Sequence, residues 1–351
     1  MTRVSSWQTE RRAKPKNKKN KELQEQLAQK EREREAAAAP YDPTEADFEV
    51  IGADVQNREA IARPSVSFWQ DAMRRLFSNK VAVFCLIIIG IIVVMAIVQP
   101  MVSPFTEEEQ HVTHSNVPMF STCPDTGHMH VFGTDALGRD LFTRAWMGAR
   151  VSLTMALTAV IANCIIGLIY GGISGYFGGA LDNVMMRIIE IINGVPYLIV
   201  LILFMLVLGP GVKSMVIAYI IAGWTGIARL TRGQIVSLKE QEFVVAARAM
   251  GASPARIITK HLIPNLLSVV IVQVTMAIPG MIFNESFLSF IGLGVPIPTS
   301  SWGQMANDGF TAFRLYPYQM LIPAVLISLT MLSFNLLGDA LRDSVDPKLR
   351  R

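Results

Sequence analysis

From residue 81 onward the chain alternates long apolar runs with short polar segments. Val81–Val98 carries no charge over eighteen residues, enough for a helix to cross a bilayer. Val151–Leu181 is uncharged for thirty-one residues and ends in Gly171, Gly172, Gly175, Gly178 and Gly179. This pattern predicts a span at about 151–173 with a loop after it, because glycine is a poor helix former. Ile191–Val212 predicts a third span, interrupted by Asn193, Gly194 and Pro196. Ser214–Ala228 predicts a short fourth, Leu262–Phe283 a fifth and Tyr318–Leu337 a sixth. The fold class is therefore all-α and integral to a membrane, with six transmembrane helices.

The region before the first span differs in kind. Residues 1–63 are rich in Lys, Glu, Gln, Arg and Ala, and Lys19–Ala39 could form a charged helix. It has no apolar stripe to bury, so a solvated, disordered or frayed extension is expected. After Pro64, the residues Phe68, Trp69, Ala72, Met73, Leu76 and Phe77 share one helical face, away from Asp71, Arg74 and Arg75. That is the pattern of a helix lying in the membrane interface.

Charge then orients the spans. Of 32 Lys and Arg, 16 precede Val81, so the formal net charge of +4 is largely a property of the tail rather than a nucleic-acid patch. With the N-terminus inside, 27 of the 32 fall on the inner side. The outer five are Arg139, Arg144, Arg150, Lys213 and Arg314. The positive-inside rule thus puts both termini in the cytoplasm. Charged residues are 17% of the chain and mean hydropathy is +0.37, which excludes an ordinary soluble domain. The three cysteines give no disulfide framework. Cys85 and Cys164 sit in apolar runs as small hydrophobes, and Cys123 stands alone in a loop.

The inner loop Arg229–His261 is too charged to lie in lipid. Phe243, Ala246, Ala247 and Met250 form a narrow helical face with small residues at its centre. Gly251 can end that helix in a left-handed cap, Ser253 can cap the next one, and Pro254 suits its first turn. The prediction is helix, glycine turn, helix, tethered at both ends by spans, which leaves little reach for DNA.

These residues resemble a known family. The run Val245-Ala246-Ala247-Arg248-Ala249-Met250-Gly251-Ala252-Ser253, with Ile263-Pro264-Asn265 beyond it, is similar to the "EAA" loop of permease subunits in ATP-binding-cassette (ABC) importers. Val245 stands where that family has its Glu, and His261 where an Ile is usual. The resemblance implies a type I importer permease fold, with a cytoplasmic coupling helix that docks on an ATPase. It assigns the contact to a loop at about 239–264, through Glu242, Ala246, Ala247, Arg248, Gly251, Ser253, Pro254 and Pro264. Three further stretches are similar to the peptide and nickel subfamily: Phe132–Asp140, Ser286–Pro296 followed by Ser301-Trp302-Gly303, and Asn335–Asp343 with Asp346-Pro347. The match covers roughly residues 70–350 and is of the "C" type of peptide permease. It divides the chain into a polar extension (1–63), an interfacial helix with the first span (64–104), an extracytoplasmic loop (105–147), a five-helix core (148–338) and a cytoplasmic tail (339–351).

Within the core, Glu285 is the only charge between Leu262 and Pro298. An ionisable group at that depth faces protein or water and not lipid. Glu285, Asn284 and Trp302 are candidates either for the translocation path or for structural support. The first outer loop gathers His111, His114, Cys123, His128 and His130, but the spacing matches no closed zinc pattern. A packed loop is expected there and no metal. Asp182, Arg187 and Glu190 read as ion pairs at an inner rim. The chain has no phosphate-cradling Gly-Lys-Ser/Thr loop and no nucleophile or paired-carboxylate pattern, so no catalytic or cofactor-binding residue is expected.

By resemblance, ATP and Mg belong to two cytoplasmic ATPase subunits. A second permease completes the pathway, and an extracytoplasmic binding protein delivers a peptide at the bacterial plasma membrane. Nickel chelates or glutathione are alternative cargoes. An ion-driven secondary transporter is the rival mechanism, though it would want ionisable groups in several spans and an internal repeat.

Overall fold

The computed structural model describes residues 24–30, 32, 68–124 and 126–346. The chain divides into two compact units, Met1–Ser65 and Val66–Arg351. In the first, residues 24–30 are helical and exposed. The expectations for the rest of the polar extension, for a helix beginning at Pro64 and for Pro347 lie outside the described residues.

The second unit is helical almost throughout. In chain order it comprises α1 (Phe68–Ser78), α2 (Lys80–Val102), a hairpin of β1 (Ser121–Thr122) and β2 (Met129–His130), α3 (Leu141–Phe177), α4 (Gly179–Asn193) and α5 (Tyr197–Leu208). There follow α6 (Val212–Leu238), α7 (Glu242–Ala249), α8 (Pro254–Phe290), α9 (Trp302–Thr311) and α10 (Tyr318–Val345). Among the described residues, α2, α3, α6, α8 and α10 are each long and apolar enough to cross a membrane. A sixth crossing arises if the pair α4–α5 counts as one span.

Five of the expected spans are present as continuous helices, with ends that differ from the expectation. α3 does not stop near residue 173. It runs to Phe177, and the glycines that suggested a loop are helical. A Cβ at Gly167 would lie 2.7 Å from the Ile227 side chain, and one at Gly175 would lie 2.9 Å from the Arg232 carbonyl oxygen. One at Gly171 would overlap the Ala228 carbonyl oxygen. Three glycines at four-residue spacing thus form a groove on α3 into which α6 settles backbone to backbone. Small residues are used in this way where lipid supplies no hydrophobic drive between helices. The break falls instead at Gly178 and Gly179, both at positive φ (67° and 60°).

The third span also departs from the expectation at Ile191–Val212. α4 and α5 meet at 76° across Gly194, Val195 and Pro196. Proline disfavours helical geometry in the residue before it and removes a donor, so the helix ends and restarts.

Gly171→Ala should therefore lower the stability of the purified chain by about 1–3 kcal/mol, the usual cost of overpacking. Gly226 in α6 meets nothing within 4 Å, so Gly226→Ala should cost nothing. Apparent melting temperatures in detergent would separate the two. Equal melting of both variants would mean that the α3–α6 contact is looser than described.

α1 packs Ala72 and Leu76 against the end of α10 and leaves Trp69, Met73 and Phe77 exposed, as an interfacial helix requires. Asn79 caps α2 by accepting from the backbone N–H groups of Val81 and Ala82. The core lies where α3, α8 and α9 meet α2, around Trp146, Ala156, Val160, Ile282 and Trp302. Cys85 is buried between α2 and α10 as a small apolar group.

Candidate functional site

The segment joining α6 to α8 is built as its sequence suggests. α7 ends at Met250, and Gly251 takes φ +80°. The Gly251 N–H donates to the Arg248 carbonyl and the Ala252 N–H to the Ala247 carbonyl, which is the Schellman arrangement. Ser253 Oγ then accepts from the Arg256 N–H, and Pro254 opens α8. A π-helical turn, Ile257–Leu262, precedes Pro264. Pro264 has no N–H to give to an α-helical bond, so the ladder changes register just before it.

Which side of α7 faces outward differs from the expectation. Ala247 is buried, 3% exposed, beside Val244. Val244 packs inward on Ile235, Ile257 and Ile258. Ala247 is therefore turned into the protein and is not on the exposed side of α7. The residues left outward are Phe243, Val245, Ala246 and Met250, with Met250 82% exposed. Glu242 and Arg248 flank them and are exposed as well. Glu242 lies in the first turn of α7 and Arg248 in the last, each at the helix end where its charge is favourable.

The loop is fixed to the bundle by polar contacts too. Lys239 Nζ donates to the Gly175 carbonyl oxygen at 3.0 Å. The Arg248 guanidinium lies 5.8 Å from the centre of the Tyr176 ring. Arg232 of α6 donates to Asp182 of α4 at 3.1 Å, and Ser174 of α3 binds the same carboxylate. Asp182 was expected in a rim ion pair. It is in one, with Arg232, while Arg187 and Glu190 pair separately in the open at 2.7 Å. Between α1, α6, α8 and α10, at the same end of the bundle, lies a cleft of about 510 Å³ lined in part by Asn265, Ser268, Gln273 and Arg342.

The opposite end of the bundle holds a second polar construction. Arg144, 1% exposed, donates to Asp135, to Asp308 at 3.1 Å and to Ser300 Oγ at 2.9 Å. Arg139 joins it through Asp135 at 2.7 Å and Asp308 at 3.1 Å. Asp135 Oδ1 also accepts from the N–H groups of Leu137 and Arg139. Arg139 and Arg144 had been expected as charges of the outer loop. They are instead the centre of a junction between the Phe132–Asp140 segment, α3 and α9.

Nearby, Glu285 of α8 is fully buried. It accepts from Ser152 at 2.7 Å and Ser289 at 2.9 Å. Trp302 is fully buried, and its indole N–H donates to the Ala145 carbonyl at 2.9 Å. A Cβ on Gly303 would lie 2.5 Å from the Ser286 carbonyl oxygen. Glu285 and Trp302 thus knit α3, α8 and α9 together, and Asn284 beside them is half-buried.

Sequence reasoning found the loop, its turn and Glu285. It missed Arg144 as an organising charge, as well as Asp308 and Val244. A signal for the first existed: Asp135, Arg139 and Arg144 recur within ten residues next to an apolar run, more charge than a free loop needs.

Comparison with known proteins gives two family matches and three relatives. Residues 164–351 match a family described as the binding-protein-dependent transport system inner membrane component. Residues 67–118 match the N-terminal transmembrane domain of oligopeptide transport permease C. The chain is 48% identical over 299 residues to the dipeptide transport system permease protein DppC of Bacillus subtilis, covering 84% of this chain and 91% of that one. It is 44% identical to the oligopeptide transport system permease protein OppC of the same organism, over 87% of this chain and 97% of the relative. It is 42% identical to OppC of Haemophilus influenzae, over 89% and 98%.

Proposed function

Since the chain belongs to the binding-protein-dependent transport system inner membrane component family, we propose that it is one of two permease subunits of an ATP-driven importer of peptides. The observation that carries the mechanism is α7. It presents Phe243, Ala246 and Met250 beyond the spans while Val244 packs on Ile235 of α6 and on Ile257 and Ile258 of α8. An apolar tip on a rigid mount suits a groove on an ATPase and transmits force in both directions. ATP and Mg reside in two such ATPase subunits, because this chain has no phosphate cradle.

α7 and both termini face the cytoplasm, following the Lys and Arg bias. A binding protein delivers the peptide to the opposite face, where the Arg144 junction gives α3, α8 and α9 a fixed frame. The two permeases alternate access between the faces. The charges in or near the spans favour this reading over an ion-driven one. Asp182 and Arg144 are held in ion pairs and Glu285 in serine hydrogen bonds, an arrangement suited to structure more than to a proton relay.

The test is transport by the purified assembly in sealed vesicles. Peptide uptake should require ATP on the face bearing α7 and binding protein on the other, and should survive collapse of proton and sodium gradients. With Ser253→Cys, an impermeant thiol reagent should label the chain from the ATP face alone. Uptake that followed an ion gradient, or labelling from the binding-protein face, would overturn the assignment.

A further inference from the structure

The segment between α2 and α3 brings together three metal-ligating side chains that the transport mechanism does not use. One ligand atom from each of His111, His114 and Cys123 lies within 4.8 Å of the others. Cys123 Sγ is 3.6 Å from His114 Nδ1. The imidazole rings of His111 and His114 are 6.2 Å apart and nearly parallel, at 24°. The geometry points to a zinc site with one thiolate and two imidazole ligands on this extramembrane segment.

The separations fit the ion. Zinc bonds of about 2.3 Å to sulfur and about 2.0–2.1 Å to nitrogen, at a tetrahedral angle, put sulfur about 3.6 Å from each nitrogen. The two nitrogens would then stand about 3.3 Å apart, so closure of the triangle takes a small inward movement of His111. A carboxylate is already placed at that residue. Glu109 Oε1 lies 3.1 Å from His111 Nε2, where it can orient a metal-bound imidazole. Thiolate with imidazole selects zinc over magnesium or calcium.

Local structure explains why linear spacing hid the site. His111 and His114 flank a single 3₁₀ turn, Val112–His114, and side chains three apart eclipse in that geometry. Cys123 follows β1, and its N–H donates to the His128 carbonyl at 2.8 Å. The Thr134 hydroxyl donates to the His114 carbonyl at 2.6 Å, and the Val117 N–H donates back to that hydroxyl at 3.0 Å. The backbone carrying the three ligands is therefore held before any ion arrives. Cys123 is 1% exposed. The other two cysteines, Cys85 and Cys164, lie in α2 and α3, so no cysteine of this chain is placed to take Cys123 into a disulfide.

Bound zinc would cross-link the His111–His114 turn to Cys123 after β1, beside the loop that carries Asp135, Arg139 and Asp140. His111 already abuts Gly138, since a Cβ there would overlap the His111 carbonyl. Three protein ligands leave the fourth zinc position to water, and the bound ion would stiffen the face opposite α7.

The experiment uses the permease with its ATPases, purified without a polyhistidine tag, stripped of metal and then titrated with Co²⁺ and Zn²⁺. One Co²⁺ per chain should bind and give a thiolate-to-cobalt charge-transfer band in the near ultraviolet, which Zn²⁺ should displace. Cys123→Ser should abolish the band. His114→Ala should weaken zinc binding at least 100-fold, and His128→Ala, an exposed neighbour, should change neither. Absence of the band in the unaltered chain at saturating Co²⁺ overturns the proposal without reliance on any variant. So does a band that persists in Cys123→Ser.

Discussion

Ala246→Glu and Gly251→Val are each expected to reduce uptake more than 100-fold while leaving the chain folded in the membrane. Ala246 is exposed on the outward side of α7, so the new carboxylate meets water in the isolated chain and costs it little. In the assembly the same carboxylate would enter an apolar contact unpaired, where burial of charge is costly. Gly251 acts differently. Space around it is open, with nothing within 4 Å of a built Cβ, so the penalty comes from φ alone. A β-branched residue there costs about 1–2 kcal/mol or more and shifts the turn that aims α7. Gly251→Asn should recover part of the activity, because Asn tolerates the left-handed region.

Ala247→Glu is a poorer probe than its neighbour. It would force a charge into a buried position, and so would report on the folding of the loop. The readouts are co-purification of the ATPases and stimulation of ATP hydrolysis by substrate-loaded binding protein. If Ala246→Glu retained both, α7 would not be the transmitting contact.

Arg144→Ala should destabilise the chain by about 3–5 kcal/mol, the cost of leaving buried partners of a lost charge uncompensated. Asp135 would keep Arg139 but lose its shortest contact, and Ser300 would lose its donor. Asp308 is half-buried and shared by both arginines, so Asp308→Asn should cost less. Arg187→Ala removes an exposed pair of the kind that contributes about 0–1 kcal/mol and should be silent. Thermal unfolding of the purified chain and its abundance in membranes would rank the three. An Arg144→Ala chain as stable as Arg187→Ala would show that the junction is ornamental to the fold.

The spans were legible in the sequence because lipid imposes one simple demand, apolar length. The turn at Gly251 was legible because a helix C-terminus, positive φ and a following Ser-Pro leave few alternatives. What stayed hidden depended on contacts far apart in the chain. Gly175 looks like a loop residue, and nothing in the sequence marks Gly167 and Gly171 as a groove, until α6 is laid against them. Arg144 counts as an outer charge until Asp308, far along the chain, folds back onto it. The facing of α7 was misjudged for a related reason. Apolar side chains occur on both its sides, and sequence periodicity cannot say which side meets the π-helical turn.

α3 and α8 are each 37 residues long, about 55 Å of continuous helix at 1.5 Å per residue. Both begin or end beside α7, through Gly175 and Tyr176 on one and the Ile257–Leu262 turn on the other. Both are bolted together near their far ends by the Glu285–Ser152 hydrogen bond. Mechanically this is a pair of levers sharing a clamp. A tilt of about 5° in a rod of about 55 Å displaces one end by about 5 Å relative to the other. A small rotation about the clamp would therefore be magnified into several ångströms of movement at α7, and the clamp sets how that movement is divided between the rods.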